Sequence, residues 1–244
     1  MATKRRHDGR RPGDLRPVRI TPHFVGSADG SCLLEMGGTR VICTASIVGE
    51  LPRWRREGRL GWVTAEYGML PASTRQRKPR PGVRTDGRSV EIQRLIGRVL
   101  RAAVRFDRLG ENTVYLDCDV LEADGGTRTA SVTGAYVALA LAAARGAETG
   151  VMSPGAVTGA VAAVSVGIVD GRAVLDLDYA EDAAAEVDMN VAMTGGGKYV
   201  EVQGTSEGRP FDAAQLDAML RLARHGIRAL LRCQRQAIAD GVNR

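Results

Sequence analysis

The sequence predicts an α+β fold built from two related halves. Short segments rich in β-branched residues and bounded by glycines indicate strands, and longer segments with a helical apolar period indicate helices. Their order is strands, helix, strand, helix, then strands and a final helix, which is typical of an α+β domain. Turn residues cluster at Gly146–Gly155, so we expect a first half over residues 1–150 and a second over residues 151–244.

The predicted strands carry apolar residues on one or both faces. They are Ser31–Met36, Arg40–Ile47, Gly61–Leu70, Thr113–Leu121, Val161–Val169, Arg172–Leu177, Val187–Thr194 and Tyr199–Gln203. Asp170-Gly171 separates two of them and predicts a type I′ turn, because both central residues of that turn need a positive φ. The run Gly195–Gly197 predicts a second hairpin.

Three helices follow from the apolar pattern. Ser89–Phe106 repeats apolar residues at every third or fourth position, with Ser89 in the position of an N-cap. Thr129–Ala144 has a small, apolar surface, which predicts a buried helix. Ala213–Ile238 is preceded by Asp212, and the glutamine three residues later completes the pattern of a capping box.

Composition narrows the class of protein. The chain has 244 residues, 44% hydrophobic and 25% charged, which are ordinary values for a soluble domain. We expect no membrane span, because no segment approaches ~18 uninterrupted apolar residues. The charged N-terminus does not resemble a signal peptide. The four cysteines of the chain form no C-x-x-C pair, which predicts reduced thiols in a cytoplasmic protein. They are Cys32, Cys43, Cys118 and Cys233.

Basic and acidic residues are unevenly distributed. The net charge is +6, and arginines concentrate in Lys4–Arg16, Arg53–Arg59 and Arg75–Arg108, whereas the second half contains an acidic cluster. This asymmetry indicates a nucleic-acid-binding face. We expect Lys4–Arg16 to be a loosely ordered basic arm.

A glycine-rich segment, Asp124–Thr129, lies between a predicted strand and a predicted helix. Gly126 lets the backbone approach a bulky anion, and the first N–H groups of the helix favour negative charge. Thr127 adds a hydroxyl, and Arg128 adds a guanidinium suited to phosphate. The alternative is a tight connector. The tetrapeptide Gly-Gly-Thr-Arg of residues 125–128 occurs a second time at Gly37–Arg40. This copy lies between two predicted strands, where we expect only a hairpin turn.

A second possible anion contact is Arg88, which stands beside a glycine at the start of another helix. The acidic cluster comprises Asp176, Asp178, Glu181, Asp182, Glu186 and Asp188. Such carboxylates can hold Mg²⁺ or donate a proton to a leaving oxygen, and the alternative is a solvated acidic loop. Asp176 and Asp178 would share one strand face if the preceding strand continued through them.

The segment Pro71–Gly87 combines prolines, glycines and many cations, which predicts an exposed loop. Its part Arg75–Arg80 could bind a nucleic-acid backbone electrostatically. A mobile basic loop without a partner is the alternative.

Several longer motifs occur in order along nearly the whole chain. They are Gly61–Pro71, Glu91–Ile96, Leu116–Leu121, Ala123–Ser131, Ala162–Ile168, Glu186–Val191 and Glu201–Thr205. Together they resemble the ribonuclease PH family of phosphorolytic exoribonucleases. The resemblance implies a fold of mixed sheets packed against helices in two related halves, which assemble into a ring, typically a hexamer made as a trimer of dimers.

The resemblance also implies the reaction and its residues. Members of this family trim tRNA precursors and other RNA 3′ ends from 3′ to 5′, using inorganic phosphate as co-substrate to release nucleoside diphosphates, and the reaction is reversible. They use Mg²⁺ or a similar divalent cation. The phosphate-binding positions correspond to Arg88, Gly126, Thr127 and Arg128. The catalytic aspartates, which are also the candidate metal ligands, correspond to Asp182 and Asp188.

The tRNA-binding loop of the family corresponds to Arg77 and Arg80, although Ala72 stands where the family has a further arginine. Two other functions fit parts of the pattern. One is a catalytically silent ring subunit that only binds RNA, and the other is a single-chain nucleotide-binding module. Retention of both the arginines and the aspartates favours the enzyme over the silent subunit.

Overall fold

The computed structural model describes residues 6–79 and 87–242, and the strands of the first half form one sheet. This sheet contains β1 (Val18–Pro22), β2 (Gly30–Met36), β3 (Thr39–Val48), β4 (Trp62–Met69) and β5 (Thr113–Glu122). Their spatial order is β1-β2-β3-β5-β4. Neighbours pair antiparallel except β4 and β5, which are parallel.

The strands of the second half form a separate antiparallel sheet. It contains β6 (Val161–Val169), β7 (Arg172–Leu175), β8 (Val187–Thr194) and β9 (Tyr199–Ser206), in the order β7-β6-β8-β9. Asp170 and Gly171 have φ values of 50° and 69°, so the turn predicted between β6 and β7 is confirmed. The hairpin predicted at Gly195–Gly197 is confirmed as well, because β8 pairs with β9 there.

Four helices cover these sheets in the described part of the chain: α1 (Gly87–Arg101), α2 (Thr127–Glu148), α3 (Tyr179–Ala184) and α4 (Ala213–Val242). Helix α2 packs against β2 and β3 of the first sheet and against β6 of the second, so both halves share one core. Its small residues permit this close packing. A Cβ at Gly134 would lie 2.7 Å from the Cys43 sulfur. Helix α2 is long and apolar enough to cross a membrane, but most of it is buried in this core.

Helix α1 ends five residues before the predicted boundary at Phe106. The N–H groups of Ala102 and Ala103 bind the carbonyls of Val99 and Leu100, which tightens the last turn. The next residue, Val104, forms a β-bridge with Val157, so its apolar side chain serves an extended segment and not the helical stripe. Ser89 lies inside the first turn of α1, so its assignment as N-cap was wrong.

The acidic segment differs from both predictions made for it. Strand β7 ends at Leu175, so Asp176 and Asp178 do not share a strand face. Asp178 instead caps α3, and its side chain accepts a hydrogen bond from the Glu181 N–H. Asp176, Asp178 and Glu181 are buried, which excludes a fully solvated loop.

The expectation of a loosely ordered N-terminal arm was wrong for residues 6–16. This segment lies against the acidic segment, and the Pro12 carbonyl accepts a hydrogen bond from the Leu175 N–H at 2.8 Å. Arg6, Arg10 and Arg16 each contact an acidic residue there. The partners of these basic residues lie more than 150 positions away in sequence, which is why composition alone suggested disorder.

Candidate active site

One edge of the first sheet brings several predicted site segments together. Strands β4 and β5 are parallel, so the segments that follow them leave the sheet at the same edge. The segment after β5 is the glycine-rich Asp124–Gly126, and the segment after β4 is the basic loop that contains Arg77. The Ala123 N–H binds the Ser73 carbonyl at 2.8 Å, which joins the two segments directly.

The backbone of the glycine-rich segment requires glycine. Gly125 and Gly126 have φ values of 76° and 65°, in the left-handed region that glycine tolerates best. A Cβ at Gly125 would lie 2.6 Å from the Leu177 carbonyl oxygen, so the segment presses against the start of the acidic region. Gly126 is the N-cap residue of α2, which places Thr127 and Arg128 in its first turn.

Thr127 has a partner that sequence reasoning missed. Its hydroxyl lies 2.9 Å from the hydroxyl of Tyr67 on β4, and both residues are buried. Burial raises the pKa of Tyr67, while the charges of Arg88 and Arg128 oppose that rise. The phenol therefore stays neutral near pH 7 and keeps a proton to donate.

Arg128 is held at the site by two side chains from other elements. Its Nη1 lies 3.3 Å from the Gln203 amide oxygen on β9 and 3.6 Å from a Glu91 carboxylate oxygen on α1. Gln203 in turn donates to Glu91 at 2.7 Å. These contacts fix the guanidinium beside the entrance of α2, where it can bind an anion in a defined geometry.

Asp182 on α3 and Asp188 on β8 interact electrostatically. Burial, and then the charge of Asp182, raise the pKa of Asp188 to about 6. Desolvation also raises the pKa of Asp182, although the residue keeps an exposed surface. Arg88 and Arg128 lower both pKa values. The two predicted phosphate-binding arginines and the two predicted catalytic aspartates therefore lie close enough to influence one another.

The turn Gly37–Arg40 supports the glycine-rich segment, so the expectation that it is only a hairpin turn was incomplete. The Thr39 hydroxyl donates to the Gly125 carbonyl at 2.7 Å and accepts from the Asp124 N–H at 2.9 Å. A Cβ at Gly38 would lie 2.8 Å from an Asp124 carboxylate oxygen. The Gly37–Arg40 turn thus holds the glycine-rich segment Asp124–Gly126 in place.

Arg16 connects the same glycine-rich segment to the acidic segment. Its buried guanidinium binds both oxygens of Asp176, with a distance of 2.6 Å from Nη2 to Oδ1. It also donates to the carbonyls of Asp124 and Gly125. The Asp124 carboxylate accepts from the Tyr179 N–H at 3.4 Å, so its contacts are with protein groups.

The remaining predicted site residues are only partly described. Arg77 is exposed in the loop after β4 and is not in contact with the aspartates in the described structure, and Ala72 is exposed in the same loop. Arg80 lies outside the described residues. Glu186, also in the predicted acidic cluster, points away from the site, because its carboxylate accepts from the Gly171 N–H in the β6–β7 turn.

The site offers oxygen ligands of the kind that Mg²⁺ prefers. The Asp182 and Asp188 carboxylates interact, and Asn190, two residues further along β8, donates to Asp188 at 3.5 Å. The two carboxylate groups therefore suit a hard divalent cation as ligands, and the Asn190 amide N–H helps to hold Asp188. A second group, His7, Asp178 and Glu181, also has close ligand atoms, but Arg6 and Arg10 already pair with its carboxylates.

Several contacts at this site could not be read from single segments. Asn190 had a usable signal, because it shares a strand face with Asp188. Tyr67 and Gln203 lie within motifs that carried the family resemblance, but their hydrogen bonds join distant elements. Thr39 and Arg16 gave no functional signal in sequence.

Comparison with known proteins identifies the family of this chain. The model of the 3′ exoribonuclease family, domain 1, matches residues 14–144, and that of domain 2 matches residues 159–226. A ribonuclease PH from Synechococcus sp. (strain CC9605) is 50% identical over 240 residues, which cover 98% of this chain and 97% of the relative.

Solved structures share the fold at lower identity. An Archaeoglobus fulgidus exosome with RNA bound to the active site has a chain that matches with a TM-score of 0.80 and 23% identity, covering 94% of this chain and 92% of that chain. Rice (Oryza sativa) Rrp46 matches with a TM-score of 0.78 and 15% identity, covering 96% and 100%. The fold expected from the sequence is therefore confirmed. With both domains matched and half of its residues identical to a ribonuclease PH, the chain belongs to the 3′ exoribonuclease family.

Proposed function

We propose that this protein is a phosphorolytic 3′→5′ exoribonuclease that trims the 3′ ends of tRNA precursors and other RNAs. The observation that carries the proposal is the proximity of Arg88 and Arg128 to the pair Asp182 and Asp188. Cations that bind an attacking phosphate and carboxylates that serve the leaving group occur in one site. Phosphoryl transfer needs both, because two anions must approach before the bond can break.

Inorganic phosphate binds at the entrance of α2. Gly126 and Thr127 present the first backbone N–H groups of the helix, which favour an anion together with the helix dipole. Arg128 supplies a guanidinium held by Gln203, and Arg88 approaches from the first turn of α1. The Tyr67 hydroxyl keeps the Thr127 side chain in place.

The reaction is a displacement at the last phosphodiester of the RNA. A phosphate oxygen attacks the phosphorus of the 3′-terminal nucleotide, and the bond from that phosphorus to the 3′-oxygen of the preceding nucleotide breaks. The leaving oxygen takes up a proton, and the product is a nucleoside diphosphate whose β-phosphate was the inorganic phosphate. The shortened RNA keeps a 3′-hydroxyl, and the same steps in reverse add a nucleotide.

The aspartate pair serves the leaving oxygen. Asp188 has a pKa of about 6, so the interacting pair can retain or release one proton close to neutral pH. In the ionised form, Asp182 and Asp188 would hold Mg²⁺ or a similar divalent cation. When bound, that cation supplies charge stabilisation for the phosphoryl oxygens.

The RNA upstream of the scissile bond contacts the basic loop. Arg77 is exposed at the same sheet edge as the phosphate site, where it can bind a backbone phosphate without reading sequence. Arg80 is assigned the same role from the family resemblance.

The protein assembles into a hexameric ring as a trimer of dimers. It works in the cytoplasm, and the four free thiols support this location.

Product analysis tests the proposal. The protein is incubated with a 3′-extended tRNA and Mg²⁺, with and without inorganic phosphate, and the released nucleotides are separated. We expect nucleoside diphosphates only when phosphate is present. Nucleoside monophosphates in both reactions would mean hydrolysis and would contradict the proposal. RNA binding without any released nucleotide would favour the catalytically silent subunit.

A further inference from the structure

The N-terminal segment, residues 6–16, contacts the helix that carries Asp182 through the side chain of Arg6. Nε of Arg6 lies 2.6 Å from one carboxylate oxygen of Glu181, and its Nη2 contacts the other. The remaining donors bind the carbonyls of Leu175 and Asp176 at 2.6 and 2.9 Å. One guanidinium therefore binds both the start of α3 and the chain that leads into it.

Glu181 is the residue that closes the first turn of α3. Its carboxylate accepts from the Asp178 N–H at 3.2 Å, and its own N–H donates to the Asp178 carboxylate at 3.1 Å. This reciprocal capping box fixes a helix of only six residues, which is too short to be stable without such contacts. Asp182 follows Glu181 directly, and its N–H binds the Asp178 carbonyl at 2.9 Å.

The Arg6–Glu181 pair is buried, which separates it from ordinary surface ion pairs. The two side chains are 5% and 6% exposed, so Arg6 is the nearest cation that compensates the buried Glu181 carboxylate, with Arg10 further away at 3.5 Å. The planar guanidinium of Arg6 binds both oxygens of the carboxylate, whereas the ammonium of a lysine would act only as a point charge. Such a contact restricts the position of the backbone next to Asp182 more than exposed pairs on the surface do.

We propose that Arg6 is a positioning residue for Asp182, which it holds at the active site by clamping Glu181 and the entry to α3. This inference rests on the catalytic role proposed for Asp182. Arg6 itself does not touch the residues of the phosphate site, so its loss changes the chemical step and not phosphate binding. By analogy with groups that orient metal ligands from one shell further out, the expected loss is roughly 10- to 100-fold in kcat.

Steady-state kinetics with tRNA and phosphate test the proposal on the full-length protein. Arg6→Gln should lower kcat roughly 10-fold or more and change the KM for phosphate less than about 3-fold, and Arg6→Lys should recover part of the loss. The matched control is Arg11→Gln, because Arg11 is an exposed arginine of the same segment. A kcat of Arg6→Gln equal to that of the control overturns the proposal, and so does a loss confined to the KM.

The double variant of Arg6 and Glu181 covers the case in which Arg6→Gln does not fold, and where both single variants fold it completes a double-mutant cycle. Glu181→Gln keeps an oxygen for the Asp178 N–H, and Arg6→Gln with Glu181→Gln leaves neither buried charge unpaired. We expect the double variant to lower kcat no more than either foldable single variant. If the kcat losses of the two single variants multiply in the double variant, the proposal is contradicted. Full activity of the folded double variant contradicts it as well.

The variant Asp182→Asn separates this inference from the proposed function. If Asp182→Asn keeps wild-type activity, the assigned role of Asp182 is wrong. If Asp182→Asn is inactive while the folded Arg6 variants keep the kcat of the control, only the positioning role of Arg6 is wrong.

Discussion

The Thr39 hydroxyl, at the start of β3, lies 2.7 Å from the Gly125 carbonyl oxygen and donates a hydrogen bond to the glycine-rich segment. The Thr39 hydroxyl oxygen also accepts a hydrogen bond from the Asp124 N–H at 2.9 Å. One side chain thus satisfies a donor and an acceptor of the backbone that leads into α2. The geometry of the proposed phosphate site therefore depends on a turn that is 86 residues away in sequence.

Replacing Thr39 by Val should weaken phosphate binding. The variant keeps the shape of the side chain but removes the hydroxyl, so the half-buried Asp124 N–H loses this partner and the Gly125 carbonyl is left with its longer contact to Arg16 at 3.4 Å. The segment is then free to shift. We expect the KM for phosphate to rise roughly 5- to 20-fold, corresponding to about 1–2 kcal/mol, with a smaller change in kcat. Arg40→Gln is the control, because Arg40 belongs to the same tetrapeptide and its side chain is exposed. Equal phosphate KM values for both variants would refute this dependence.

Arg128→Ala should raise the phosphate requirement more strongly. Loss of a charge-assisted contact to phosphate corresponds to about 1.5–3 kcal/mol, or roughly a 10- to 100-fold higher KM for phosphate. Arg128→Lys should be intermediate, since it keeps the charge without the fork. Arg94→Ala removes an exposed arginine of α1 as a control. Unchanged phosphate dependence in Arg128→Ala would remove this residue from the site.

Asp188→Asn should stabilise the metal-free protein at neutral pH while abolishing activity. The folded-state pKa of Asp188 is raised to about 6 from an ordinary value of 3.8, so the folded state holds its proton more tightly than the unfolded state. The contribution of Asp188 to the wild-type free energy of unfolding is therefore fully present below pH ~4 and is lost as the pH rises through about 6. Above that pH, the free energy of unfolding of the variant should exceed that of the wild type by up to about 3 kcal/mol. This figure follows from a pKa difference of about two at ~1.4 kcal/mol for each pKa unit.

Urea unfolding in the presence of a chelator measures this gain. The free energies of unfolding of the two proteins should converge near pH 4 and separate between about pH 4 and pH 6. A variant that is less stable than wild type at pH 7.5, or a difference that does not depend on pH, would show that the Asp188 carboxylate is not strained in the folded site.

Arg77→Ala should weaken tRNA binding in a manner that depends on salt. Each phosphate contact contributes roughly 0.7–0.9 to the slope of log affinity against log salt concentration, so the loss of one contact should reduce the slope by about that amount. The KM for phosphate should not change. Arg172→Ala provides a control on the β6–β7 hairpin of the second sheet, where the arginine is also exposed. Identical slopes for the two variants would place the RNA elsewhere.

Local patterns predicted the parts of the fold that local chemistry determines. The turn at Asp170-Gly171 was predicted because its φ requirements are met by those two residues. The start of α4 was predicted because Asp212 and Gln215 form a reciprocal capping box. Strand β1 was missed, since it is a short edge strand that carries Arg19 and ends in a proline.

Tertiary contacts determined what local patterns could not. Apolar residues continue past Arg101, but packing against Val157 turns the chain out of α1. At the proposed site, motif residues such as Arg128 and Asp188 were predicted from sequence, while the residues that contact them were not. Gln203 reaches Arg128 across 75 positions, and Arg6 reaches Glu181 across 175. Such contacts have no periodic or compositional signal in a single sequence.

Transfer of labelled inorganic phosphate tests the central claim most directly. The wild-type protein is incubated with a 3′-extended tRNA, Mg²⁺ and ³²P-labelled phosphate, and Arg128→Ala is run in parallel at the same phosphate concentration. We predict that the label appears in the β-phosphate of the released nucleoside diphosphates, and that Arg128→Ala incorporates much less of it at subsaturating phosphate. Released nucleotides without label would contradict an attack by phosphate and with it the function assigned to the entrance of α2.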